Sequence, residues 1–182
     1  MPGYVIHLTI AKEYIKKHKI DNRIEFLKGT IAPDGNKNKV ESHYSIHGTS
    51  SGANLYLYLK DNKLDNDYNK GYFLHLLADL LFYNKYFRFI EEDRLDIDEV
   101  HRDYDRINKY MLEEFDFKED EIELIQNKYW IVENEEPKYL KIDKINEFID
   151  IVSNYDIDSL ANDVIQMKEN YMQIFGVDYY EG

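Results

Sequence analysis

The sequence predicts an all-α fold, and three observations carry that prediction. Apolar residues recur at three- and four-residue spacing over much of the chain, the period of a helix with one buried face. One segment, Asp67 to Phe82, is apolar nearly all round, as a central helix is. Asp96 stands three residues ahead of Glu99 at the head of another periodic run, a variant of the capping box.

In chain order, a first helix runs from about Tyr4 to His18, with His7, Ile10, Ala11, Tyr14 and Ile15 on one face. A shorter helix covers about Arg23 to Lys28. The segment Gly29-Thr30-Ile31-Ala32-Pro33-Asp34-Gly35 reads as a turn or loop from its Gly and Pro content. Residues 36–52 are polar and read as a long loop, which in a compact domain is usually functional or disordered. Ala53 to Lys60 forms a short helix, and Asp67 opens the central one. A further helix begins near Asp96 and continues to about Phe115. Helical patterns recur at about Glu119 to Asn127, Ile142 to Tyr155 and Asp158 to Phe175. Tyr129-Trp130-Ile131-Val132 and Tyr139-Leu140-Lys141-Ile142 flank Asn134-Glu135-Glu136-Pro137, which suggests a small β-hairpin within residues 129–142. No repeat and no linker divides the chain. The expectation is one helical domain over residues 1–182, with the chemistry in 1–112 and further helices in 113–182.

Composition bounds the function. The net charge of −13 repels nucleic acid backbones and anionic lipid surfaces, so neither is a favoured partner. The acid excess is heaviest from Glu91 to Glu136, interleaved with Tyr, Ile and Leu, and reads as solvated helix faces. Seventeen tyrosines bring rings to bury and hydroxyls that need partners. With no cysteine, thiolate metal sites and cysteine nucleophiles are excluded, and any metal takes nitrogen and oxygen ligands. The N-terminus lacks the pattern of a signal peptide, and no run approaches the roughly 18 apolar residues of a membrane span. A cytoplasmic location is the default expectation.

The six histidines all precede residue 102. His75 and Asp79 stand four apart in the most apolar helix and therefore share a face. A bracing hydrogen bond is the plain reading. A buried carboxylate and imidazole are costly without compensation, however, and a divalent cation supplies it, so ligation is the favoured reading. His101 and Asp105 repeat the spacing in a charged, amphipathic helix, where an exposed surface pair is an equal contender. His7 lies on the inner face of the first helix, and alone it reads as a hydrogen-bonded core residue. Asp34 follows Pro33 and alone reads as turn chemistry. His43 and His47 sit in the polar loop. His18 ends a helix among lysines, a surface position. No Gly-x-Ser-x-Gly elbow, phosphate-binding glycine loop, dinucleotide fingerprint or His-Glu-x-x-His pattern is present.

Four segments occur in a suggestive order: Pro2-Gly3-Tyr4-x-x-His7, then Lys28-Gly29-Thr30-Ile31-Ala32-Pro33-Asp34, then Ser42-His43-Tyr44, then Gly71 to Phe82 with His75 and Asp79. This set resembles the zinc-dependent phospholipase C family, which is also similar to the P1-type single-strand nucleases. The likeness covers about the first 85 residues and extends loosely to Asp105. It implies an all-helical bundle of the phospholipase C/P1 nuclease type and up to three metal ions. One metal would take Asp34, His43, His75 and Asp79; a second would take His7 and share Asp79; a third would take His101 and Asp105. A family histidine that often follows the helix aspartate is absent, since the chain reads Leu80-Leu81-Phe82-Tyr83-Asn84-Lys85-Tyr86.

The expected function is metal-dependent hydrolysis of a phosphodiester or phosphomonoester. One to three Zn2+ ions, with Mn2+ or Fe as substitutes, would activate a water, and Asp34 would act as its base or orienter by resemblance. The expected partner is a small phosphoester substrate. The alternative is a metal-stabilised scaffold or interaction protein without turnover. A phosphohydrolase of the HD type is disfavoured, because its adjacent His-Asp is missing.

Overall fold

The computed structural model describes residues 3–45, 53–86 and 96–176. Among these the chain forms nine α-helices and no strand: α1 (Tyr4–Lys17), α2 (Arg23–Gly35), α3 (Lys39–Ser42), α4 (Leu55–Asp61), α5 (Asp67–Leu81), α6 (Ile97–Glu114), α7 (Glu119–Leu124), α8 (Ile142–Ser153) and α9 (Ile157–Met167). A π turn, Phe82–Tyr86, continues α5, and a 3₁₀ segment, Lys168–Phe175, follows α9. The all-α prediction is borne out. None of the described helices is long and apolar enough to cross a membrane.

The apolar run from Asp67 does build the central helix. Phe73, Leu74, Leu76, Leu77, Ala78, Leu80 and Leu81 of α5 are all buried, and α1, α2, α4, α8 and α9 pack around it. Burial on every side explains why the segment shows little amphipathic contrast. Asn66 starts the helix by accepting from the backbone N–H of Asn69 at 2.9 Å.

The stretch read as a turn at residues 29–35 is helical. α2 continues through Pro33 and ends at Gly35. Its glycine serves packing rather than turning: a Cβ on Gly29 would collide with the Tyr68 carbonyl of α5. Gly71 on α5 answers it, because a Cβ there would collide with the Phe26 carbonyl of α2. The two helices thus meet backbone to backbone, which holds Asp34 opposite His75 and Asp79. Pro33 stands close enough to the C-terminus that its missing N–H removes one ladder bond from the last turns.

The loop expected over residues 36–52 contains α3. Asn38 accepts from the backbone N–H of Glu41 at 3.2 Å, and Ser42 Oγ donates to the Pro33 carbonyl at 2.9 Å, which ties α3 to the end of α2. His47, Ser50 and Ser51 lie outside the described residues.

The β-hairpin expected within residues 129–142 does not form. Its backbone is bonded by α6 instead of by a second strand. Asp103 is fully buried and its carboxylate accepts from the backbone N–H groups of Lys138, Tyr139 and Leu140 at 2.9, 2.6 and 3.0 Å. Asn108 donates to the Trp130 carbonyl at 2.9 Å, and the Val132 N–H donates to the Asp105 carbonyl at 3.1 Å. Asn134 takes a positive φ of 62° between them. Arg106 also donates to Asp103, at 2.8 Å. Replacing Asp103 by Asn keeps the shape but removes the charge and one acceptor. The expected loss is about 2 kcal/mol in urea unfolding. An unchanged midpoint would show that α6 does not hold this segment.

Two helix ends also differ from expectation. Asp96 caps α6 through the N–H groups of Asp98 and Glu99, but the Glu99 side chain pairs with Arg106 and Lys138 rather than closing the box. The helix expected to reach Phe175 breaks at Lys168, whose φ of 51° is outside the helical region, and continues as 3₁₀.

Candidate metal centre

Five of the predicted residues converge on one buried point. His7 comes from the first turn of α1, Asp34 from the last turn of α2, His43 from the residue after α3, and His75 and Asp79 from successive turns of α5. The three imidazoles and Asp79 are at most 1% exposed. Asp34 is the least buried of the five, with 8% of its side chain exposed.

Asp79 is the hub. Its Oδ1 lies 3.1 Å from His7 Nε2, and its Oδ2 lies 3.0 Å from His43 Nε2 and 3.4 Å from His75 Nε2. Asp34 stands slightly further out, 3.7 to 4.0 Å from the same three nitrogens. These approaches are close without being directed as hydrogen bonds. Both oxygens of Asp79 and both ring nitrogens of His7 are buried with no hydrogen-bonding partner.

The tautomers sharpen this picture. His75 Nδ1 is 2.7 Å from the Thr30 carbonyl, and His43 Nδ1 is 2.8 Å from the Lys39 carbonyl. A carbonyl only accepts, so each Nδ1 carries the proton and donates. In the neutral rings each Nε2 is then a bare lone pair. Those two lone pairs lie 3.2 Å apart and face the Asp79 carboxylate. Lone pair against lone pair against carboxylate is repulsive. Either a proton or a cation must resolve it. A proton does so in part: burial opposes a charge on His75, but Asp79, Asp34 and the Thr30 carbonyl outweigh it and raise its pKa above the ordinary histidine value. His7 moves the other way, lowered by burial and by His75, on which its ring stacks at 3.7 Å. Burial works against the Asp79 anion, yet His75 and the other histidines hold its pKa well below the usual range.

A divalent cation could also be held by the same atoms. Metal–nitrogen and metal–oxygen bonds of about 2.1 Å place neighbouring donors roughly 3.0 to 3.4 Å apart. The separations around Asp79 fall in that range. An imidazole that donates Nδ1–H to a backbone carbonyl and offers Nε2 inward is the usual arrangement of a ligand histidine. Two donor groups emerge, His7 with Asp34 and His75, and His43 with His75 and Asp79.

His101 and Asp105 do not join this cluster. His101 is exposed on α6, its ring 6.0 Å from that of Tyr104, and among the described residues neither it nor Asp105 belongs to a metal-competent group. Among the described residues the expected third site is not assembled. Asp105 gives its carbonyl to Val132 instead, and partial burial raises its carboxyl pKa. His18 does structural work: its Nε2 is 2.9 Å from the Ser153 carbonyl of α8.

Two residues of the surroundings escaped sequence reasoning. Lys39 sits 3.4 Å from Asp34 Oδ1 and also bonds the Asp34 carbonyl. Tyr104 is buried, with a hydroxyl that lacks a hydrogen-bonding partner; burial, and then Asp79 and Asp34, push its pKa well up. Nothing in the spacing of either residue marks it, since both depend on how α3 and α6 pack.

No protein-family model matches the chain, and no curated protein or solved structure is detectably similar to it.

Proposed function

We propose that the chain is a metal-dependent phosphoester hydrolase whose cations are held by His7, Asp34, His43, His75 and Asp79. One observation carries the reading: the protonated Nδ1 atoms of His43 and His75 leave two bare Nε2 atoms 3.2 Å apart against a buried carboxylate with no hydrogen-bonding partner. That set is complementary to a divalent cation. Mixed imidazole and carboxylate donors suit Zn2+, with Mn2+ or Fe as alternatives. A bound cation supplies a water that ionises near neutral pH and a positive field for phosphate oxygens.

The protein's own residues do the rest. The Thr30 and Lys39 carbonyls fix ring orientation. Asp79 turns Oδ1 to His7 and Oδ2 to His43 and His75, and would hold a cation against those imidazoles. Asp34, the least buried, would orient a water and take its proton. The resemblance to the zinc-dependent phospholipases C supports phosphoester chemistry and a small substrate.

A metal-braced scaffold is the second reading, favoured by the near-complete burial of the three histidines and Asp79. Turnover separates the two. Zn2+- or Mn2+-loaded protein is expected to hydrolyse p-nitrophenyl phosphate or its bis-ester. Asp34→Asn should cut the rate by about two orders of magnitude, the usual cost of losing a general base, while keeping most of the metal. Equal rates for wild type and Asp34→Asn would leave the scaffold.

A further inference from the structure

We propose that Lys39 is the anion-binding residue of this site, receiving a phosphoryl oxygen beside the metal; the inference rests on the reading of the cluster as a cation site. Three observations carry it. The Lys39 ammonium contacts Asp34, the ligand nearest the surface, through both its carboxylate and its carbonyl. The Lys39 side chain is 38% exposed, whereas His7, His43, His75 and Asp79 are at most 1% exposed. The backbone carbonyl of the same residue fixes the His43 tautomer, so the ammonium and the ligand nitrogen are held by one short helix.

Charge accounting gives the ammonium its role. Without a cation, Lys39 partly neutralises Asp34, and Asp79 remains a second buried anion. Divalent ions in the two donor groups, one on Asp34 and the other on Asp79, would more than cancel both carboxylates. Lys39 then loses its electrostatic partner and becomes a surplus positive charge at the accessible edge of the site. In a chain of net charge −13 that is a local reversal of sign, and it suits an anion with one oxygen on the metal and another on an ammonium. A lysine fits this task because its flexible stem lets a point charge swing from Asp34 to the incoming oxygen. Neutral substrates gain nothing from such a residue, so within the phosphoester chemistry proposed above the ligand class is the anionic mono- and diesters.

Inorganic phosphate is the probe, titrated calorimetrically into the full Zn2+-loaded chain, with metal content measured on the same samples. Lys39→Met is expected to retain its metal and to bind phosphate at least tenfold more weakly, and Lys39→Arg to recover most of the affinity. With p-nitrophenyl phosphate, Lys39→Met should raise KM with little change in kcat. If Lys39→Met keeps its metal and binds phosphate like wild type, Lys39 is merely the counter-ion of Asp34 and the inference is overturned. Absence of phosphate binding by metal-loaded wild type overturns it too. Failure of wild type to take up metal is a different outcome, and it sinks the proposed function together with this inference.

Discussion

If the proposed cation is bound, chelating it from the wild-type protein is expected to lower the melting temperature by on the order of 10 °C. A cation bound to the native state alone, at a free concentration a thousand times its dissociation constant, stabilises by about 4 kcal/mol, and a domain of this size moves by roughly 2 to 4 °C per kcal/mol. The structural reason is local. In the absence of a cation both Asp79 oxygens are buried without hydrogen bonds, and the Nε2 atoms of His43 and His75 face each other at 3.2 Å. Asp79→Asn should erase the effect. Its melting temperature should be the same with and without chelator and no lower than that of chelated wild type. A neutral amide of the same size relieves a buried unpaired charge, and its N–H groups can donate to the two bare imidazole nitrogens. A chelator response in Asp79→Asn as large as in wild type would remove Asp79 from the ligand set.

Gly29→Ala is expected to cost about 3 kcal/mol or more, the upper range for forcing atoms into a packed interior. The added Cβ would meet the Tyr68 carbonyl, which is backbone inside the first turn of α5 and has no rotamer through which to escape. Relief requires α2 and α5 to part. Asp34 rides on one of these helices and His75 and Asp79 on the other, so metal affinity should fall with stability, by roughly tenfold or more if the loss resembles that of a ligand-supporting residue. Gly35→Ala in the same helix is the control. Nothing lies within 4 Å of a Cβ there, and the change should stay within about 0.5 kcal/mol. A Gly29→Ala protein that melts with wild type would refute the close approach of α2 and α5.

How much was legible in the sequence follows physical lines. Residues four apart on an apolar helix are neighbours wherever that helix goes, so His75 and Asp79 could be paired from spacing alone, and the buried cluster contains them. His101 and Asp105 have the same spacing, yet their helix turns that face outward, because local periodicity places residues on a face without saying what the face meets. Gly29 and Pro33 misled for a related reason. Both are turn-forming in isolation, but the Tyr68 carbonyl uses the missing Cβ, and the proline falls where a helix is ending. The hairpin failed because Asp103, Asn108 and the Asp105 carbonyl bond the backbone groups that strand pairing would have needed.

By itself, then, the sequence determined the all-α architecture, the central helix and its His75–Asp79 pair, and the resemblance added His7, Asp34 and His43 as candidates. These follow from periodicity, burial cost and motif order, which act over a few residues at a time. Only the tertiary structure decided that the five converge, that His101 and Asp105 stay apart, and that Lys39 stands at the rim. Those facts depend on how closely α2 and α5 pack and on which carbonyls the imidazoles find, and such distances are set between segments far apart in the chain.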